Sequence, residues 1–137
     1  MHYLSFKIAH QWYGVRVSEV IEVLQLVYLN PLPAAADDVL GLMTLRETIV
    51  PVIDLRIRFG LPPTQITLTT PIIAIRTATN TLGIVVDDVD DVLEIAPSLH
   101  HEDHNSPYVV QVVTLEDRLL MLLDTNRLSQ IVDAVTV

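Results

Sequence analysis

Leu4, Phe6 and Ile8 alternate with Ser5 and Lys7, the two-residue period of a half-buried strand. A short polar link, Ala9-His10-Gln11, precedes Tyr13, Val15 and Val17 on one face, so the two segments predict a hairpin. From Val20 to Val27 the chain is rich in β-branched residues; with Ser18 as a cap it reads as a turn and then a strand. Pro31 and Pro33 interrupt regular structure, and Ala34-Ala35-Ala36 offers a short helical start on a surface connection. Ile49 to Asp54 reads as a strand whose Pro51 cannot donate to a ladder, which predicts an edge or a bulge. Leu55 to Phe59 then suits one helical turn ended by Gly60. Ile72 to Arg76 and Leu82 to Asp87 form a second hairpin signal, with Asn80 suited to a left-handed turn. Tyr108 to Leu115 and Leu119 to Asp124 form a third, across Glu116-Asp117-Arg118.

This pattern gives about eight or nine short strands and few helical periods, so an all-β barrel or sandwich is expected rather than βαβ units. At the end, Leu128, Ile131, Val132 and Val135 have the spacing of a short amphipathic helix lying on the body. A chain of 137 residues has the length of one domain, so residues 1–137 are expected to form a single unit.

Composition narrows the function. Half the residues are hydrophobic and 18% are charged, the composition of a folding chain with apolar surface left over for a partner. A net charge of -9, with Lys7 the one lysine, argues against nucleic acid as a partner. The absence of cysteine removes thiolate metal sites and cysteine nucleophiles and suits a reducing cytoplasm. The N-terminus lacks the pattern of a secretory signal, and no apolar run is long enough to span a bilayer, so direct membrane insertion is not expected.

Catalytic chemistry finds little support. The glycines, Gly14, Gly41, Gly60 and Gly83, are isolated, so no glycine-rich phosphate loop exists, and neither a G-x-S-x-G elbow nor an H-E-x-x-H helix is present. The cluster His100-His101-Glu102-Asp103-His104 has the side chains a zinc or nickel ion takes, but adjacent residues do not converge on one point as ligands from separate elements do. A solvated loop is the favoured reading, and a metal-responsive or other protein-binding module using His100 to His104 is the alternative function. Asp87-Asp88-Val89-Asp90-Asp91 lacks the glycine and distal glutamate of a calcium loop and reads as a solvated turn or charged partner surface. No catalytic residue, metal or cofactor is expected. Trp12 and Tyr13 are read as core more than as an exposed recognition pair.

Two segments go further. Gly41-Leu42-Met43-Thr44-Leu45-Arg46-Glu47-Thr48-Ile49-Val50-Pro51-Val52-Ile53-Asp54-Leu55-Arg56-Ile57-Arg58-Phe59 resembles the CheW-family signature G-V-x-N-L-R-G-x-I-x-P-V-x-D-L-R-x-x-F. Leu82-Gly83-Ile84-Val85-Val86-Asp87-Asp88-Val89-Asp90-Asp91-Val92-Leu93 resembles its V-G-I-V-V-D-x-V-x-D-V-L. Tyr13-Gly14-Val15, Val20-Ile21-Glu22-Val23 and Asp117 to Asp124 add matches in the family's order. The resemblance implies two intertwined SH3-like five-stranded β-barrels with a shared core, short helices and a C-terminal helix. It implies a cytoplasmic, non-catalytic adaptor, recruited to membrane-associated receptor arrays. One face would bind the cytoplasmic tip of a methyl-accepting chemoreceptor, and another the regulatory domain of a CheA-type histidine kinase. Carried over position by position, Val20, Glu22, Gly41 and Arg46 fall where the family meets receptor or kinase, while Asp54, Arg56 and Asp87 tie turns together. For Arg46 the structural alternative is an ion pair with Glu47 or Asp54.

Three departures bear on partner choice more than on fold. Glu47 replaces a glycine that takes positive φ readily, which opens the turn at Arg46 to remodelling. Asp88 and Asp90 replace glycine and serine, adding charge to the second motif. The family's tyrosine-to-glycine segment survives as Tyr108, with Gln111 further on.

Overall fold

The structure, a computed structural model, describes residues 1–25, 28–32, 37–63, 65–96, 100–101 and 106–133, with backbone alone at 100, 101 and 133. It is all-β. The strands are β1 His2–Ile8, β2 Gln11–Arg16, β3 Val20–Leu24, β4 Val39–Leu45, β5 Thr48–Asp54, β6 Ile72–Arg76, β7 Thr81–Val85, β8 Asp88–Glu94, β9 His100–His101, β10 Val109–Thr114 and β11 Leu119–Leu123. A 3-10 turn, Val17–Glu19, joins β2 to β3; helix α1 is Leu55–Arg58 and α2 is Thr125–Asp133. The three hairpins predicted from the alternation are β1–β2, β6–β7 and β10–β11. The turn-then-strand reading of the β-branched stretch matches the 3-10 turn and β3, with residues 26 and 27 outside the described residues. The helical start at residues 34–36 and Val135 also lie outside them.

The strands form two sheets, one in the order β8-β1-β2-β11-β10-β9 and one in the order β3-β6-β7-β5-β4. The second sheet is one continuous stretch inserted between β2 and β8, so the first is assembled from both ends of the chain. Each sheet has five long or medium strands; the first gains the two-residue β9 as a sixth. The second sheet curls: the chain after β3 returns to its opposite edge, where the backbone groups of Asn30 exchange two 2.8 Å hydrogen bonds with Leu42 on β4.

Packing follows the alternation. The largest core cluster lies between the sheets and contains Leu4, Phe6, Ile8, Tyr13 and Val15 from the first, Ile53, Ile73, Ile75, Leu82 and Ile84 from the second, and Leu128, Ile131 and Val132 from α2. Each sheet also has its own cluster on its other face: Met43, Val50, Val52 and Ile72 in the second, and Tyr3, Ile95, Leu120 and Leu122 in the first. Burying each such side chain contributes roughly 1.5–3 kcal/mol, which is why both faces of the central strands are apolar. Tyr13 is core, stacked on Phe6 and Phe59 with ring centroids 6.1 and 5.7 Å away, and burial raises its hydroxyl pKa.

Three expectations are corrected. Pro51 lies in β5, which is flanked by β4 and β7 and is therefore interior rather than an edge, although the β4–β5 register does shift beside it, between Val39 and Gly41. Its missing N–H goes unfelt because Pro51 faces Leu42, whose own polar groups point away to Asn30, and pairing of β5 with β7 begins only at Val52. Asn80 does not adopt positive φ; its N–H donates to Thr77 Oγ1 at 3.1 Å and so closes the turn through a side chain. The acidic stretch from Asp88 is an edge strand, β8, rather than a solvated turn, because Val89 and Val92 pair with Phe6 and Leu4 of β1. At the bulge between those pairs Ser5, fully buried, donates to the Asp91 carbonyl at 3.0 Å and accepts from the Asp91 N–H at 3.2 Å, replacing lost ladder bonds.

Candidate partner-binding surface

Of the four residues singled out, two meet. Arg46, at the tip of the β4–β5 hairpin, places its Nε 3.3 Å from Glu22 Oε1 on β3. The contact joins the two edges of the second sheet, and its partner is neither Glu47 nor Asp54. The Arg46 side chain is 70% exposed and that of Glu22 33%, so water screens the pair and it adds little stability. The tip is a two-residue turn in which Arg46 has φ 48° and Glu47 φ 69°. Both central residues are left-handed, the geometry hairpins favour and glycine adopts most cheaply, so Arg46 and Glu47 each carry strain of roughly 1–2 kcal/mol.

Around this tip apolar side chains face outward. Ile49, paired with Thr44 beside the turn, is 68% exposed, and Val23 on β3 is 44% exposed. Val20 is half-buried against the main core. Gly41 is buried, with φ 155°, and a Cβ there would strike the Asn30 carbonyl oxygen. Any influence of Gly41 on a partner therefore passes through the Asn30–Leu42 bridge rather than through direct contact.

The other end of the long motif is tied inward. The Asp54 carboxylate, fully buried, accepts from the Arg56 N–H at 3.1 Å and so caps α1. Arg56 in turn grips Asp87 with two hydrogen bonds, Nε–Oδ1 3.2 Å and Nη2–Oδ2 2.5 Å, and this hydrogen bonding raises the guanidinium pKa. Asp87 Oδ2 also accepts from the N–H of Ala9, at 2.7 Å, where the β1–β2 turn has a positive φ of 56°. Asp87 stands where the chain leaves the second sheet for the first, so one carboxylate ties that crossing to both. Arg58 holds the buried Asp38 carboxylate at 2.7 Å. Sequence reasoning missed this last pair, whose partners no motif links.

The two added acids differ in surroundings. Asp90 sits 3.2 Å from Arg118, which stacks on Trp12 at 4.1 Å from the ring centroid, whereas Asp88 is exposed on β8. Arg118 also holds Asp117 at 3.0 Å, and that hydrogen bond lowers the Asp117 carboxyl pKa. Trp12 is thus half-buried under a cation rather than fully core. Among the described residues no group of three or more His, Asp or Glu can hold a metal ion; the side chains at 100–104 lie outside the described residues. Among the described residues, too, no helix is long and apolar enough to cross a membrane.

The CheW-like domain family model matches residues 2–133. The chain belongs to the CheW family. The chemotaxis protein CheW of Bacillus subtilis is 31% identical over 130 residues, covering 90% of this chain and 83% of its own. The chemotaxis protein CheW of Klebsiella aerogenes is 29% identical over 137 residues, covering 92% and 80%. In fold, the chain is similar to the crystal structure of the scaffolding protein TtCheW from Thermoanaerobacter tengcongensis, with a TM-score of 0.83 over 90% of this chain and 88% of that one at 24% identity. The CheW resemblance read from the two motifs holds across nearly the whole chain, and the two-sheet architecture is the CheW one.

Proposed function

We propose that this chain, a chemotaxis adaptor of the CheW family, couples chemoreceptors to a CheA-type histidine kinase through two faces, one of which is the exposed end of its second sheet. Val20, Glu22 and Arg46 make contact there, with Gly41 shaping the strand beneath. The partners are the kinase's regulatory domain and the cytoplasmic tip of a methyl-accepting receptor, and the protein works in the cytoplasm at receptor arrays without catalysis of its own. Residues 1–137 act as one domain, since a single core is shared by both sheets.

The observation that carries the reading is the meeting of Glu22 and Arg46 on an exposed edge beside the outward-facing Ile49. An arginine fork held in place by a weak pair is free to exchange that carboxylate for a partner's, and apolar neighbours supply the burial that contact requires. Calorimetric titration with the regulatory domain of the CheA-type kinase from the same organism tests it. Saturable binding that is weakened in Arg46→Ala and in Glu22→Ala is the expected result. No saturable binding, or binding unchanged in both variants, overturns the assignment of this surface.

A further inference from the structure

The chain crosses between sheets twice, and the two crossings are held differently. At residues 86–87 Asp87 is gripped by an arginine and a backbone N–H. At the 3-10 turn Val17–Glu19 the hold comes instead from the C-terminal helix: Thr125 Oγ1, at the start of α2, donates to Glu19 Oε2 at 2.7 Å. Helix α2 is fastened to the second sheet again at the β6–β7 turn, where Thr79 Oγ1 meets Ser129 Oγ and Asn80 Nδ2 donates to the Ser129 carbonyl, each at 3.3 Å. The Glu19 contact borders a cleft of about 340 Å³ at the seam of the sheets, lined in part by Arg16, Ala78, Gln111 and Asp124. Close-packed side chains resist sliding on their own; beside an open cleft, a hydrogen bond has to supply that resistance.

We infer that Glu19 and Thr125 are positioning residues that fix the start of β3, and with it Val20 and Glu22, against the first sheet. Glu19 precedes Val20 directly, and the Val20 N–H closes the 3-10 turn onto the Val17 carbonyl, so a shift of Glu19 is passed along the backbone into β3. Buried Thr125 is held in turn by a helix whose first turn is capped by Asp124, which accepts from the Asn126 N–H at 3.1 Å. The helix therefore straps the sheets together from outside the proposed contact surface.

Amide hydrogen exchange on the full chain tests the inference with Thr125→Val, which keeps the shape but removes the donor, and Thr125→Ser, which keeps the donor. Exchange at Val20, Ile21 and Glu22 is expected to accelerate roughly three- to tenfold in Thr125→Val, about the factor one hydrogen bond confers, with β7 and β11 unchanged. Thr125→Ser and Glu19→Gln, which retain a donor and an acceptor, should exchange as the parent does. Unchanged exchange in Thr125→Val, or acceleration spread evenly over both sheets, overturns the inference. The reading of Val20 and Glu22 as contacts underlies a second arm, in which Thr125→Val weakens binding of the kinase regulatory domain with little change in Tm. If the parent chain does not bind that domain, the contact reading fails alone, and the exchange result still decides the strap.

Discussion

Arg46 and Arg56 come from one motif and both pair with a carboxylate, yet they do opposite work. Arg46 tops a strained two-residue turn and reaches across to Glu22 in water. Arg56 sits on α1 with its side chain 23% exposed and shares Asp87 with the N–H of Ala9, so its partner is already committed to holding a turn. Charge type and sequence proximity do not separate the two. What separates them is how many other groups depend on the acid: Glu22 has Arg46 on an open edge, whereas Asp87 is a junction of two sheets.

That contrast can be broken from several sides. Gly41→Ala should be the most damaging change, lowering stability by about 3 kcal/mol in denaturant unfolding, because a Cβ meets the Asn30 carbonyl and φ 155° is costly for alanine. Asp87→Ala should cost about 2 kcal/mol, leaving the Arg56 guanidinium and the Ala9 N–H without their acceptor; a loss as small as that of Arg46→Ala would dissolve the comparison. Glu47→Gly should raise stability by about 1 kcal/mol by relieving φ 69°, visible as a higher midpoint at unchanged slope. Arg46→Ala should change stability by less than about 0.5 kcal/mol while weakening partner binding by roughly 1–3 kcal/mol, a separation that calorimetry and thermal unfolding together detect. The smallest effect concerns pH. Burial raises the Tyr13 pKa, so the folded state holds that proton more tightly than the unfolded one. Its contribution is complete below the ordinary value of 10.0 and is lost as pH rises through the folded value, so alkaline titration should show stability declining only above about pH 10.

Much of the fold was legible because alternation is a local signal. Three hairpins, the Gly60 stop after α1 and the amphipathic α2 each follow from neighbouring residues. The places where the reading went astray depend on what lies opposite. Pro51 suggested an edge because its missing donor matters only in a hydrogen-bonded position, and the Asn30 bridge that takes up Leu42's polar groups is invisible along the chain. Asp88 to Asp91 suggested a turn because charges are rare in strands, yet an edge strand tolerates them on its open side.

The site divides the same way. The motifs pointed to Glu22, Gly41 and Arg46 as residues of interest, but the spacing between positions 22 and 46 cannot reveal that their side chains meet, since contact requires the second sheet to curl until β3 faces the end of β4. Sequence alone pointed to the family, through the resemblance of two long motifs, and to the all-β class, the excess of apolar surface and the residue types available for contact, which follow from composition and from patterns a few residues long. Tertiary structure alone decided which acids are shared, which arginine holds its carboxylate on an open edge, and that α2 spans both sheets, because each depends on groups distant in sequence being brought within hydrogen-bond reach.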